Sequence, residues 1–234
     1  MKKPVALILA VSVILLTACS QTPAKSGSGS DTVSKSSEAI KVASSSSVGS
    51  SSVSSSSSLS STLSTVHESS DPEVVKLYTA ASKYYTSKDY TNAVKKCDAA
   101  IAIDPLCYEA INIKGAAQYY ATGDPQQGLP LINKCIELNP KYQYGYFNKA
   151  LIYKGEKNWD MSISLFNKVI EIAPDNAWAY YGISTIYADR NMVDKSLLYL
   201  KKAIEVDTSV KETAKVQSHY DRMRSNKDFQ ALVK

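Results

Sequence analysis

Few side chains in this 234-residue protein are of types that do covalent or acid–base chemistry. There are four cysteines, two histidines and long runs of serine, set against sixteen tyrosines, two tryptophans and three phenylalanines. Cys19, Cys97, Cys107 and Cys135 contain no C-x-x-C pair, so their spacing suggests neither a metal site nor a redox couple. His67 lies in a serine-rich stretch and His219 near the C-terminus, and spacing gives neither one a nucleophile or a carboxylate partner. The serines crowd into a segment with nothing to hold them in place, and nucleophilic catalysis depends on position. Gly123 and Gly128 match neither phosphate-loop pattern. The expectation is a protein that is not an enzyme and uses no cofactor and no metal. Its formal net charge is +5, and residues 71–234 carry 22 Lys and Arg against 19 Asp and Glu, both signs interspersed. Such a surface does not track a nucleic-acid backbone, so no nucleic-acid partner is expected. The chemistry that remains is recognition by aromatic rings.

The segments that would position this chemistry begin with Lys2 and Lys3, followed by an apolar run from Val5 to Leu16 broken only by Ser12. A bilayer span needs about 20 residues, so this run is too short to cross; it suits a secretory signal peptide over residues 1–18. The run ends Leu16-Thr17-Ala18-Cys19, which resembles the lipobox of bacterial lipoproteins. The resemblance implies that the Cys19 thiol takes a diacylglycerol and that cleavage leaves Cys19 as the first residue. The protein would then be exported and lipid-anchored to the bacterial cell membrane, and in a two-membrane cell Ser20 carries no inner-membrane retention signal. Two or three acyl chains make such anchoring stable. The competing reading is an ordinary secretory peptide that happens to contain a cysteine.

Residues 26–70 hold 23 serines, no aromatic residue and no proline, with apolar residues such as Val48, Val53 and Leu59 isolated from one another. Such a segment cannot bury enough surface to offset its ordering entropy. Residues 19–70 are therefore expected to be a lipidated cysteine followed by a disordered tether, with an r.m.s. reach of roughly 40 Å.

Residues 71–208 repeat. Prolines fall at 105, 140 and 174, and Thr208 lies 34 further on. Each marker follows an apolar helix end: Ala99-Ala100-Ile101-Ala102-Ile103-Asp104-Pro105, Lys134-Cys135-Ile136-Glu137-Leu138-Asn139-Pro140, Lys168-Val169-Ile170-Glu171-Ile172-Ala173-Pro174 and Lys202-Ala203-Ile204-Glu205-Val206-Asp207-Thr208. A period of this length, with Pro just past the helix as a stop, signals a helical repeat array. The pattern resembles the tetratricopeptide repeat, a helix–turn–helix of 34 residues. With the first repeat begun at Val74, the small residue at repeat position 8 falls on Ala81, Gly115, Ala150 and Ser184, and that at position 20 on Ala93, Gly128, Ser162 and Ser196. Position 24 falls on Cys97, Ile132, Phe166 and Leu200, and position 27 on Ala100, Cys135, Val169 and Ala203.

The resemblance implies an all-α, right-handed superhelical solenoid. Its four repeats would span about 72–105, 106–140, 141–174 and 175–208, with a capping helix and tail over 209–234. One hairpin cannot bury its apolar face alone, so hairpins stack and the last one needs a polar-faced cap. Residues 210–224 fit a single capping helix, and Asp228-Phe229-Gln230-Ala231-Leu232 fits a short turn folding Phe229 and Leu232 back. Ser70-Asp71-Pro72-Glu73 reads as an N-cap, a Pro at the first helical position and an acid in the first turn. The second repeat is one residue long, with its slack near Thr122 in the inter-helix turn. Pro130 should either kink its helix or delay the start of that helix.

In proteins of this type the first helix of each repeat, helix A, lines the concave groove through positions 2, 5, 9 and 12. Here these are Val75, Tyr78, Ser82 and Tyr85; Glu109, Asn112, Ala116 and Tyr119; Tyr144, Phe147, Leu151 and Lys154; and Trp178, Tyr181, Thr185 and Ala188. Of these, Tyr78, Tyr85, Asn112, Tyr119, Tyr144, Phe147, Lys154, Trp178 and Tyr181 are the candidate partner-binding residues, an aromatic and weakly charged trough. The alternative is that several rings pack against the neighbouring repeat. The leading expectation is a membrane-anchored adaptor binding protein or peptide partners in the cell envelope. Its rivals are a cell-wall glycan-binding lipoprotein, in which the rings stack on sugars, and an accessory subunit of an envelope enzyme or of secretion or pilus assembly. Cys97 and Cys135 sit at core positions and Cys107 near a turn; one disulfide plus a free thiol is an open alternative.

Overall fold

A computed structural model describes residues 66–234, and the signal peptide, Cys19 and the tether expected up to residue 65 lie outside the described residues. All regular structure among the described residues is helical. Four antiparallel hairpins follow one another: α1 (Pro72–Thr86) with α2 (Tyr90–Ile103), α3 (Tyr108–Thr122) with α4 (Pro125–Leu138), α5 (Gln143–Gly155) with α6 (Trp159–Ile172), and α7 (Ala177–Asp189) with α8 (Val193–Val206). The two helices of each hairpin pack chiefly on each other, and the second helix packs on the first helix of the next hairpin. This neighbour-to-neighbour stacking is a solenoid.

The small residues at positions 8 and 20 meet in the second, third and fourth hairpins, and in the first both are fully buried. A Cβ on Gly128 would lie 2.7 Å from the Gly115 carbonyl oxygen, and one on Gly115 would lie 2.9 Å from that of Gly128. In the third hairpin the Ser162 hydroxyl donates to the Ala150 carbonyl at 2.7 Å, and in the fourth the Ser184 and Ser196 hydroxyls reach each other's carbonyls at 2.8 and 3.0 Å. Helix backbones therefore touch at these points, and only a hydrogen atom, a methyl or a small hydroxyl fits between them. Positions 24 and 27 are fully buried in all four hairpins.

The turns between hairpins rest on a device that the proline spacing only hints at. Asp104, Asn139 and Asp207 each cap the preceding helix and accept a hydrogen bond on their own side chain from the N–H two residues on, at 3.0, 3.0 and 2.9 Å. These are Asx turns, which fix the chain direction locally. Asp207 makes one without a following proline, which explains how Thr208 can stand in the fourth marker position. At the third, Ala173 has no such side chain and the turn is left to Pro174.

Three details differ from expectation. The extra residue of the second repeat does not lengthen the turn: α3 runs on to Thr122 and the turn is only Gly123 and Asp124, with Gly123 left-handed at φ 72°. The other hairpins turn through three residues and place Lys88, Lys157 and Asn191 in that left-handed region instead. α4 does not start late. It begins at Pro125, capped by the Asp124 side chain, and continues through Pro130. The helix expected over 210–224 is broken: α9 (Val210–Val216) stops at Gln217, whose backbone is extended, and a 3-10 helix (Ser218–Met223) precedes α10 (Lys227–Val233). The Arg224 guanidinium donates to the Lys215 and Gln217 carbonyls, satisfying acceptors that the break leaves open. Val210, Ala214, Tyr220, Met223, Phe229 and Val233 form one buried cluster with Tyr181, Leu200 and Ala203 of the last hairpin. The cap therefore seals the final seam, as expected of it.

A candidate partner-binding face

The first helices of the hairpins, α1, α3, α5 and α7, also touch one another. That contact divides the expected trough. At repeat position 12, Tyr85, Tyr119, Lys154 and Ala188 are buried, and at position 9 so are Ser82, Ala116 and Thr185. At position 5, Asn112 and Tyr181 are buried as well. Five of the nine candidate residues, Tyr85, Asn112, Tyr119, Lys154 and Tyr181, are therefore packing residues and offer no open surface. Asn112 accepts from Asn148 of the next hairpin at 3.1 Å, the Tyr119 hydroxyl reaches Glu156 at 3.4 Å, and Tyr181 packs edge-on to Trp178 with ring centres 5.5 Å apart. The accessible remainder is Val75, Tyr78, Glu109, Tyr144, Phe147, Leu151 and Trp178, all half-buried and concentrated in the first two turns of successive A helices.

Lys154 is the centre of a buried polar cluster. Its ammonium donates to the Thr185 hydroxyl at 2.7 Å and lies 3.3 Å from Nε2 of His219. An ammonium can only donate, so Nε2 accepts and Nδ1–H is the donor to the Asp189 carboxylate, 2.6 Å away. The cluster joins α5, α7 and the 3-10 helix, a bracing role between repeats and cap. His67 similarly meets Asp104, at 2.8 Å. Both histidines thus have carboxylate partners, contrary to the reading from spacing, because the pairs lie 30 and 37 residues apart and only the fold joins them.

Glu109 is the residue that sequence reasoning passed over. Its signal was there: it is the one carboxylate among the sixteen A-helix groove positions. It sits in the first turn of α3, where the Cys107 thiol donates to it at 3.6 Å. Burial holds its carboxyl above the usual range, outweighing hydrogen bonds from its own backbone N–H, Cys107 and Tyr108, and Glu68 pushes in the same direction. Burial, reinforced by the Glu109 charge, also raises the phenols of Tyr78 and Tyr108. Tyr108 and Tyr142 meet edge-on with ring centres 4.9 Å apart, and Tyr142 and Tyr144 at 5.4 Å.

Cys97, Cys107 and Cys135 are free and buried, so none of the three forms a disulfide. Burial pushes the Cys97 and Cys107 thiols from 9.0 up to about 12, and raises Cys135 too. A thiol that ionises less readily folded than unfolded contributes stability that is complete below the unfolded value and is lost as pH rises through the folded one. Urea midpoints should therefore fall as pH climbs from 9.0 toward about 12. At about pH 8, peptide mapping after maleimide treatment should find these three cysteines unlabelled until denaturant is added. Prompt labelling of the native chain would contradict their burial. Among the described residues no group of three or more His, Cys, Asp or Glu is placed to hold a metal ion, and no helix is long and apolar enough to cross a membrane.

Comparison with curated protein sequences gives no match. Among solved structures, the fold resembles the crystal structure of TTC0263, a thermophilic TPR protein of Thermus thermophilus. That match has a TM-score of 0.58 at 18% identity and covers 68% of this chain and 87% of that one. It also resembles MamA 41-end from Desulfovibrio magneticus RS-1, with a TM-score of 0.50 at 16% identity, over 69% of this chain and 90% of that one. At these identities the likeness is one of fold. Residues 144–176 and 179–209 match the family model described as the tetratricopeptide repeat, so the third and fourth hairpins are repeats of that kind within a solenoid of the same type.

Proposed function

We propose that this chain is an adaptor, held at a bacterial membrane by lipid on Cys19 and binding polypeptide partners in the cell envelope through Tyr78, Tyr144, Phe147 and Trp178. A tetratricopeptide scaffold implies a role in protein–protein interaction, and the observation that carries the reading is the placement of these rings. All four are half-buried in the first two turns of α1, α5 and α7, while the groove residues deeper along these helices, Leu151 excepted, are closed by packing. Rings anchored at one edge and open at the other supply contact area at little entropic cost. The lipid anchor and the tether rest on the Leu16-Thr17-Ala18-Cys19 motif and the serine-rich composition.

The test is crosslinking of the intact protein in its native envelope, followed by identification of what is captured. A variant carrying Tyr78→Ala, Tyr144→Ala and Trp178→Ala runs beside it, after circular dichroism has confirmed its helicity. The core rings Tyr85, Tyr119 and Tyr181 are unsuitable for this purpose, because their loss would damage the fold. A small set of proteins captured by the native chain and lost from the variant is the expected result. Equal capture by both would move the interface off the A-helix face, and recovery of wall polymer alone would replace the adaptor with the glycan-binding reading.

A further inference from the structure

We infer that this protein pairs with a second copy of itself through the exposed faces of α8 and α10, in a two-fold contact that sets the two α8 helices antiparallel across Leu197 and Leu198. The contact uses none of the four rings assigned to partner binding and goes beyond the adaptor reading. Between α8 and α10 lies an open hollow of about 460 Å³, whose apolar lining is Leu197, Leu198, Ala231 and Leu232. Leu197 and Leu232 are half-buried against the cap cluster, Ala231 is exposed, and Leu198 stands in solvent at 52% exposure. Leu198 occupies repeat position 22, where the other three repeats carry Lys95, Pro130 and Ser164. The fourth repeat alone thus presents a large aliphatic side chain at this point, and it does so beside a hollow lined for one. Asp194, Asp228 and Lys201 also line the hollow, and all three are exposed. Among the described residues neither carboxylate forms an ion pair. Lys201 reaches only Glu205 of its own helix, at 3.9 Å with the two side chains 63% and 61% exposed.

The spacing along α8 makes this patch its own complement. Asp194 and Lys201 stand two turns apart, about 10 Å along the helix, and Leu197 and Leu198 lie midway between them. A two-fold axis passing between Leu197 and Leu198 reverses α8 on itself. Lys201 of each copy then comes opposite Asp194 of the other, and Leu198 of each opposite Leu197 of the other. A knob and a hollow on one patch, with a cation and an anion at equal distances on either side, are what an isologous contact requires. A parallel arrangement would instead set Asp194 against Asp194 and Lys201 against Lys201, and like charges reject it. A partner of uniform charge would satisfy one end of the patch and oppose the other. The apolar centre supplies the attraction and the charged ends fix the direction. Each patch is used up by its mate, so the assembly closes at two copies.

The test is a charge swap. Two differently tagged copies of the full chain are expressed together and crosslinked in intact cells; one tag is captured and the other is read on the band of two chains. A band of that size excludes bridging by a third protein. Lys201→Glu in both copies sets acid against acid, and Asp194→Lys in both sets base against base, so each should reduce the band about tenfold or more. One copy carrying Lys201→Glu and the other Asp194→Lys should restore it, because opposite charges then face each other at both ends. Leu198→Asp in both copies should abolish it. All three positions are exposed, so the variants keep the core, and circular dichroism checks their helicity. The inference is overturned if the native chain gives no band of two chains, if the single variants pair as well as the native chain, or if the mixed pair recovers nothing. It is also overturned if a ladder of larger bands predominates, which would replace the closed pair with open stacking.

Discussion

Replacing Tyr220 with alanine should remove about 3–5 kcal/mol from the last hairpin, the range for deleting a large buried ring. The ring is fully buried, lies 5.2 Å from that of Phe229 and 6.0 Å from that of Tyr181, and its hydroxyl meets that of Ser184 at 2.8 Å. It is thus the peg by which the cap holds both α7 and α10. Hydrogen exchange should show protection lost over residues 210–233 and then over α7 and α8, with the first two hairpins unaffected, because stability in a stack is passed only between neighbours. Tyr220→Phe is the control. It deletes one hydroxyl and leaves Ser184 bonded to Ser196, so it should cost only about 1 kcal/mol. An alanine variant whose cap amides stay as protected as in the parent chain would show that the cap does not depend on this ring.

Gly182→Ala should destabilise the junction of the third and fourth hairpins by about 2 kcal/mol, although alanine is the better helix former by about 1 kcal/mol. A Cβ at this position would meet the ring of Phe166 at three atoms, with Cε2 at 2.7 Å and Cε1 at 2.8 Å. Phe166 has nowhere to go: it is completely buried and braced edge-on against Phe147 at 5.4 Å. The clash therefore outweighs the helical gain. A double-mutant cycle with Phe166→Leu separates the two, since the smaller side chain leaves room for the methyl. In that background Gly182→Ala should become neutral or stabilising in urea unfolding. If the two substitutions were simply additive, the clash would not be the cause.

Much of the fold was legible in the residues. The proline markers, the small residues at Gly115 and Gly128 and the Asp71-Pro72 start each report a local constraint, and local constraints survive reading in one dimension. The candidate face was legible only as a stripe. Positions 2, 5, 9 and 12 share one side of helix A, but the same spacing describes a side open to solvent and a side covered by the next A helix. Tyr144 stays half-buried while Lys154 is sealed by Thr185 of the next hairpin and His219 of the cap, and no single repeat encodes those neighbours. The Lys154, His219 and Asp189 cluster joins residues far apart in the chain, so spacing could not reveal it. The break at Gln217 was hidden because its compensation comes from Arg224, a side chain that reads as ordinary surface charge.

The cap at the end of the chain also has a consequence for biosynthesis. Contacts between sequential neighbours give a low contact order, so hairpins can form quickly and in the order in which they emerge. The fourth hairpin is an exception in time: until residues 210–233 have been made, Tyr181, Leu200 and Ala203 face the solvent as an unfinished edge. That edge is the shape one hairpin offers to the next, so nascent or truncated chains are primed to stack end to end on one another.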